Sequence, residues 1–363
     1  MQDTVFARVA GLVRQVLPLL GACLLAPAVA AAQPGVVHEL DIADYRGYLA
    51  EDHPVRQGMR KFAQLVEHGS EGRVRVKVRA DVLPGAPAQQ LAALRGGAPG
   101  APALMLVAST GLAGPVPAFA LLDLPFLVRD EAHADSLLDG PFGAALLARL
   151  GQDETAGLVG LAWWENGFRQ ITTSGAPVRG AADLRGLKMR TIDEPVFIEA
   201  ARAMGAEPLP LPFGELAAAL RAGRVAAQEN FMSQILAGRL YEVQSGLSLT
   251  NHSYGPLVLV ANGGAWQRLA PGQQRLLQSA AAEAGRFQRR AARESARLAR
   301  AELERHGMAV HALAAGEQER LRELTAPLRA TYFGRHGDGL WRLYREQGGA
   351  KPRDAAVSQP PST

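Results

Sequence analysis

The chain has 363 residues, of which 48% are hydrophobic and 20% charged, with a net charge of +4; this balance excludes wholesale disorder, and 39 Gly and 23 Pro without a repeating period exclude a fibrous protein. At roughly 150 residues per domain, two domains are expected. The one cysteine, Cys23, excludes a disulfide framework and a Cys-rich metal centre, and with only four lysines among 39 basic residues a lone arginine says little.

Residues 1–32 read as a signal peptide. Arg8 and Arg14 precede an apolar run from Val16 to Val29 that prolines interrupt, too short to span a bilayer. Ala28-Val29-Ala30 fits a small-x-small cleavage site, and polar Gln33-Pro34-Gly35 follows. An uncleaved membrane anchor is the alternative. Leu20-Gly21-Ala22-Cys23 also resembles a lipoprotein box that would lipidate Cys23, although apolar sequence continues past it. The mature protein is expected in the periplasm without a membrane span of its own, and a compartment without ATP argues against ATP-driven chemistry.

In chain order, Leu40 to Leu49 reads as a strand. Asp52-His53-Pro54 opens a helix through Met59, Phe62 and Val66 that ends near Gly69. Val74, Val76 and Val78 alternate with Arg73, Arg75, Lys77 and Arg79 as a half-buried strand. A short helix spans Gln89 to Leu94, a loop Gly96 to Gly100, and Leu104 to Val107 reads as a buried parallel strand. Gly111 to Pro117 reads as a loop and Gly157 to Trp164 as a strand. Leu187 to Arg190 is a short strand, and Pro195 and Gly205 bracket a helix. Leu247 to Thr250 and Leu257 to Ala261 read as two strands. A long helix runs from Gly272 to His306. Its eight arginines and four glutamates between Arg275 and Arg305 form a solvated face with i,i+4 pairs, not a nucleic-acid footprint. Ala350 to Thr363 reads as a disordered tail.

Alternating strands and helices predict an α/β fold with mostly parallel sheets flanked by helices. Ligands of such sheets bind beyond the carboxyl ends of the strands, and two such lobes make a hinge-closing receptor. G-x-S-x-G, G-K-[ST], H-E-x-x-H and C-x-x-C are all absent, so neither a cofactor nor a metal is expected. Carboxylate pairs such as Asp130-Glu131 and Asp193-Glu194 sit at helix starts, where they favour the helix dipole.

Several segments carry a resemblance. Gly180-Ala-Ala-Asp-Leu-Arg-Gly-Leu-Lys-Met-Arg190, Met204-Gly-Ala-Glu-Pro-Leu-Pro-Leu-Pro-Phe-Gly-Glu-Leu216, Gln228-Glu-Asn230, Tyr241-Glu-Val-Gln244 and Leu249-Thr-Asn-His252 occur in order. Upstream lie Ala50-Glu-Asp-His-Pro54, Leu122-Asp-Leu-Pro-Phe126 and Trp163-Trp-Glu-Asn-Gly-Phe-Arg-Gln170. Over residues 38 to 330 the chain resembles the DctP-type substrate-binding proteins of TRAP transporters. The resemblance implies a two-lobed periplasmic binding protein fold with a long helix spanning both lobes. Lobe I would comprise 37–164 plus 256–297, and lobe II 165–255 plus 298–345. It implies capture of an organic acid anion, leaning toward a sugar acid, and delivery to TRAP membrane permease subunits, with no enzymatic step. A ligand sensor docking on a signalling receptor, or an enzyme acting on an organic acid, are the alternatives.

The resemblance also assigns residues. Arg190 would hold the ligand carboxylate, for which a planar guanidinium offers two parallel charge-assisted hydrogen bonds. Asn230 would add an amide beside it and Phe213 an apolar wall. Arg169, Glu229 and His252 would form a supporting charged network, with Arg169 also reaching the ligand. The sequence departs from the family pattern in Val225-Ala226-Ala227 before Gln228, in Leu83 to Gln89, and in Gly97 to Pro102. The latter two segments belong to the part that selects the remainder of the ligand. The carboxylate end is thus expected to be intact and the specificity end altered.

Overall fold

The computed structural model describes residues 37–46, 49–81, 83–152, 157–336 and 338–348. The expected signal peptide, Cys23 and the expected tail lie outside them. The strands are β1 (His38–Asp44), β2 (Val74–Val78), β3 (Leu104–Ala108), β4 (Leu158–Thr173), β5 (Lys188–Thr191), β6 (Glu207–Pro210), β7 (Ala227–Phe231), β8 (Gly246–Asn262) and β9 (Ala309–Ala312). In the first part of the chain the helices are α1 (Pro54–Gly69), α2 (Pro87–Gly96), the single turn α3 (Ser109–Leu112), α4 (Glu131–Asp139) and α5 (Pro141–Gln152). They continue with α6 (Ala181–Leu184), α7 (Pro195–Ala203), α8 (Phe213–Arg221), α9 (Met232–Ala237), α10 (Gly263–Gln267), α11 (Pro271–Arg305), α12 (Ala315–Leu324), α13 (Ala326–His336) and α14 (Asp338–Glu346). Among the described residues no helix is long and apolar enough to cross a membrane.

One mixed sheet runs in the order β2-β1-β3-β8-β4-β7-β5-β6, with β9 beside β8. Parallel ladders join β1 to β2 and β3, β5 to β6 and β7, and β8 to β9. The spine is antiparallel: β4 and β8 pair along nearly their whole length. Sequence reading split β8 in two and stopped β4 at Trp164. β8 instead runs on through Pro256, which pairs with Glu165 at a bulge, where proline's missing N–H is tolerated. β1, conversely, ends at Asp44 rather than Leu49. The expected loop at Gly111 to Pro117 is partly ordered, since α3 extends to Leu112 and Pro117 starts a 3-10 helix through Asp123.

Helices cover both faces. α1 and α11 bury Phe62, Met59, Leu277 and Ala281 against Ile42, Leu106 and Leu259. α4, α5 and the 3-10 segment cover the opposite face through Leu137, Phe142 and Leu122. In the other half, α6 and α7 sit over Ile171, Met189 and Ala227, while α8, α9 and the end of α11 enclose Leu216, Ile235 and Leu303. β3 is apolar on both sides because both its faces are covered, whereas edge strand β2 alternates as predicted. α13 and α14 depart from the expected allotment of 298–345 to the second lobe. Their Phe333 and Tyr344 rings lie 6.4 and 6.1 Å from Phe142, and the Tyr344 hydroxyl donates to the Leu127 carbonyl at 2.9 Å.

The long helix is keyed to β4. Trp164 is fully buried, and its Nε1 donates to the Ala281 carbonyl at 3.2 Å. A Cβ on Gly285 would lie 2.7 Å from the Trp163 carbonyl oxygen and 2.8 Å from the Trp164 ring. Gly285→Ala is expected to cost about 1–3 kcal/mol through overpacking. Gly272→Ala, whose Cβ would meet only the Arg275 guanidinium at 4.0 Å, should leave stability unchanged or raise it, by about 1 kcal/mol at most. Denaturant unfolding of the pair tests the contact; equal stability of the two variants would refute it.

Candidate functional site

Strand directions create a crevice. β4 runs from the β1–β3 half into the β5–β7 half, and β8 returns. β3 is antiparallel to β8 and β7 antiparallel to β4. The carboxyl ends of β1 and β3 on one side, and of β5 and β7 on the other, therefore converge where β4 and β8 pass between the halves. Ligands of α/β sheets bind at such convergences. Gly167, with φ of 96°, faces Gly255 across this passage. At Gly255 a side chain would overlap the Phe231 ring.

Arg169, Glu229 and His252 come together here. Arg169 sits opposite Phe231 in the β4–β7 ladder, and Glu229 two residues away projects to the same face. Arg169 Nε pairs with Glu229 Oε2, while its Nη2 donates to Oε1 and to the Glu229 backbone oxygen, each at 2.9 Å. The guanidinium also lies 4.5 Å from the Phe231 ring centre and 5.3 Å from that of Phe197. His252 Nε2 is 3.5 Å from Glu229 Oε2, and its Nδ1 is 2.7 Å from Thr250 Oγ1. Burial alone would raise the Glu229 pKa, but Arg169 and His252 outweigh it and hold the carboxylate down at about 2.

Arg190, next to last in β5, is in register with Gln228 of β7, so Arg190, Gln228 and Asn230 share the other face. Met189, on the Glu229 side, joins the apolar cluster with Ile171 and Ala227. Arg190 is 4% exposed, and its Nε donates to the Leu211 carbonyl at 2.8 Å. Its buried Nη1 has no partner. Burial lowers its pKa to about 10, with Arg169 adding to the effect and Glu229 opposing it. Asn230 is buried, and its Oδ1 accepts from the Phe231 amide at 3.0 Å. Phe213 opens α8 two residues past Leu211 and packs half-buried on the Leu211–Leu216 cluster. It belongs to that apolar cluster at the crevice margin and makes no hydrogen-bonded contact with the charged residues.

The structure adds residues that sequence reading missed. Arg46 makes a bidentate pair with Asp44 at 2.8 and 2.9 Å, and its Nη1 donates to Asn166 Oδ1 at 2.7 Å. Tyr45 hydrogen-bonds Asn166 and lies within the field of Arg169. Extending β1 to Leu49 hid this cluster; charged residues directly after the apolar strand were the available signal. A further cavity at the carboxyl ends of β1 and β2 is lined by Asp44, Arg46, Arg56 and Arg79. Asp123 was noticed only as part of a motif. Gln170 was likewise passed over; its amide binds Asn251 through Nε2 at 2.6 Å and through Oε1 at 3.1 Å. Among the described residues no group of three or more His, Cys, Asp or Glu could hold a metal ion.

These features are those of a two-halved solute receptor. The family model of the bacterial extracellular solute-binding proteins, family 7 (DctP), matches residues 46–335, and the chain belongs to that family. It is 38% identical over 231 residues to the 2,3-diketo-L-gulonate-binding periplasmic protein YiaO of Escherichia coli K12, covering 64% of this chain and 69% of that one. A TRAP periplasmic solute-binding protein of Ochrobactrum anthropi, solved with its C-terminus bound in the ligand-binding pocket, superposes with a TM-score of 0.79 at 35% identity, covering 89% of this chain and 99% of that one. The sugar acid binding protein DctPAm of Advenella mimigardefordensis, in complex with galactonate, gives 0.74 at 32% identity, covering 86% and 100%. The members of this family are periplasmic solute receptors of TRAP systems.

The ion pair has a pH signature. The Glu229 pKa is depressed to about 2, so its stabilisation is present above the ordinary carboxylate value and is lost as pH falls from about 4.3. Acid unfolding of Glu229→Gln should lack this part of the wild-type slope between pH 4.5 and 2. Glu229→Ala leaves Arg169 buried without its counter-charge and should cost about 3–5 kcal/mol. An unchanged acid limb in Glu229→Gln would remove the ion pair from the stability argument.

Proposed function

We propose that this protein captures an organic acid anion in the crevice between its halves and hands it to the membrane subunits of a TRAP permease, with a sugar acid as the favoured cargo. The observation that carries this reading is Arg190: a buried guanidinium at the carboxyl end of β5 with Nη1 unpartnered. A ligand carboxylate arriving there supplies both the missing hydrogen bond and the missing counter-charge. Asn230 and Arg169 complete the carboxylate end, and Phe213 forms an apolar wall. Tyr45 on the facing half and Asn166 on the joining strand β4 offer hydroxyl and amide groups suited to the hydroxyls of a sugar acid. The relatives bear on the choice of cargo, since one is named for 2,3-diketo-L-gulonate and another holds galactonate. Closure swings lobe II (165–255 with 298–325) against lobe I about Gly167 and Gly255, with α11 crossing both. The protein acts as receptor and leaves the acid chemically unchanged. Export through residues 1–32 places it in the periplasm.

Thermal unfolding of the mature protein against galactonate, galacturonate, glucuronate, 2,3-diketogulonate and succinate tests this. An acid at about 1,000 times its dissociation constant adds roughly 4 kcal/mol, a shift of several degrees. Arg190→Ala should abolish the response, and Arg190→Lys, which loses the two-pronged geometry, should weaken it severely. No response to any acid, or a wild-type response in Arg190→Ala, would overturn the assignment.

A further inference from the structure

The carboxyl group of Asp123 has no place in the binding scheme above. It ends the 3-10 segment Pro117–Asp123 and is 3% exposed. Its Oδ1 accepts from Thr110 Oγ1 at 3.1 Å and Ser109 Oγ at 3.4 Å, both in the turn α3 that directly follows β3. Its Oδ2 is buried without a partner. Asp123 lines a small cavity together with Met189, Thr191, Glu229, His252 and Ser253, and the Thr191 hydroxyl there is likewise unpartnered. This acid is thus anchored to one half of the molecule and faces the other.

The charged surroundings are specific. Arg169 of β4 favours the ionised form, Glu194 ahead of α7 opposes it, and Glu229 of β7 and His252 of β8 face the same cavity. An ionised oxygen buried without a donor is costly, so the group tends to keep its proton. Burial, only partly offset by Thr110 and Arg169, raises its pKa to about 7.

We propose that Asp123 is a proton-linked positioning residue, taking up a proton when an anion occupies the neighbouring Arg169–Arg190 site. The inference rests on the organic-acid reading above. A bound carboxylate cancels part of the positive potential that Arg169 exerts on Asp123, which disfavours its ionised form further. By linkage, protonated receptor binds the anion more tightly, and affinity falls as pH rises. The fall is about tenfold for each unit by which the anion raises the Asp123 pKa.

The test combines two measurements on the full mature chain. Carbon-detected NMR of the free protein follows the aspartate carboxyls from pH 4 to 9, with Asp123→Asn identifying the resonance. A midpoint near 7 is expected, and a midpoint at the ordinary carboxylate value overturns the proposal. Calorimetry with galactonate and galacturonate at pH 7, in phosphate and in Tris, counts protons. Wild type should take up a fraction of a proton per ligand, and Asp123→Asn none. Binding without proton uptake, or uptake that persists in Asp123→Asn, overturns the proposal and assigns any pH effect to His252 or another group. Absence of binding by wild type to either acid counts against the organic-acid reading, and the NMR titration still decides the state of Asp123. If Asp123→Asn does not fold, the buffer dependence of wild type alone decides, since equal heats in both buffers refute the linkage.

Discussion

A guanidinium taken out of water needs a counter-charge, and Arg169 and Arg190 are both buried where the strands of the two halves converge. Arg169 is satisfied internally by a bidentate carboxylate, two aromatic faces and, through that carboxylate, a histidine. Arg190 donates from Nε to a carbonyl, while its buried Nη1 has no partner. The difference sorts the two roles. The first arginine ties β4 to β7 and, through Glu229, to β8; the second keeps a buried hydrogen-bond donor unused, which is the basis of the binding role proposed for it. Because both lie at strand positions rather than on loops, their geometry is fixed by ladder register, and a ligand has little ordering cost to overcome.

The architecture follows from letting two strands belong to both halves. A parallel α/β half presents its ligand-facing edge at the carboxyl ends of its strands. Two such halves face each other only if the strands joining them run antiparallel, as β4 and β8 do. The bulges along that pair break the ladder at Gly160/Ala162, Glu165/Gly167 and Arg169/Ile171, so the shared strands are least regular where the site lies. Bulges sharpen twist and redirect side chains, and the one at Arg169 accompanies the turn of its guanidinium toward Glu229.

Much of this was legible in the sequence. The alternation at Val74 to Val78 reported one-sided burial and the proline and glycine at the ends of α7 reported its limits, both of which local pattern encodes. The trio Arg169, Glu229 and His252 was legible only through resemblance, because the three are joined by strand pairing across 60 and more positions and no spacing rule announces that. What stayed hidden has a common cause. Ladder partners decided where β1 stops and whether β8 passes Pro256, and a partner strand is invisible from one segment. The C-terminal helices α13 and α14 were misallotted for the same reason: their aromatics needed Phe142, almost 200 residues upstream. The unpartnered oxygen of Asp123 has no sequence signature at all, since one acidic residue in an apolar motif reads the same whether bonded or not.

The bulge at Glu165 is covered by a side chain, not by another strand. Gln288 of α11, fully buried, accepts from the Glu165 amide at 2.9 Å and donates to the Glu165 carbonyl at 2.8 Å. A helix thereby imitates the edge of a neighbouring strand at one of the spots where the ladder lapses. Only a primary amide both gives and takes a hydrogen bond at that spacing: a carboxylate of equal length has nothing to give, and a thioether neither gives nor takes strongly. Position 288 is therefore closed to substitution by chemistry as much as by volume, although nothing about a lone glutamine amid arginines and alanines would mark it out to a reader of the chain.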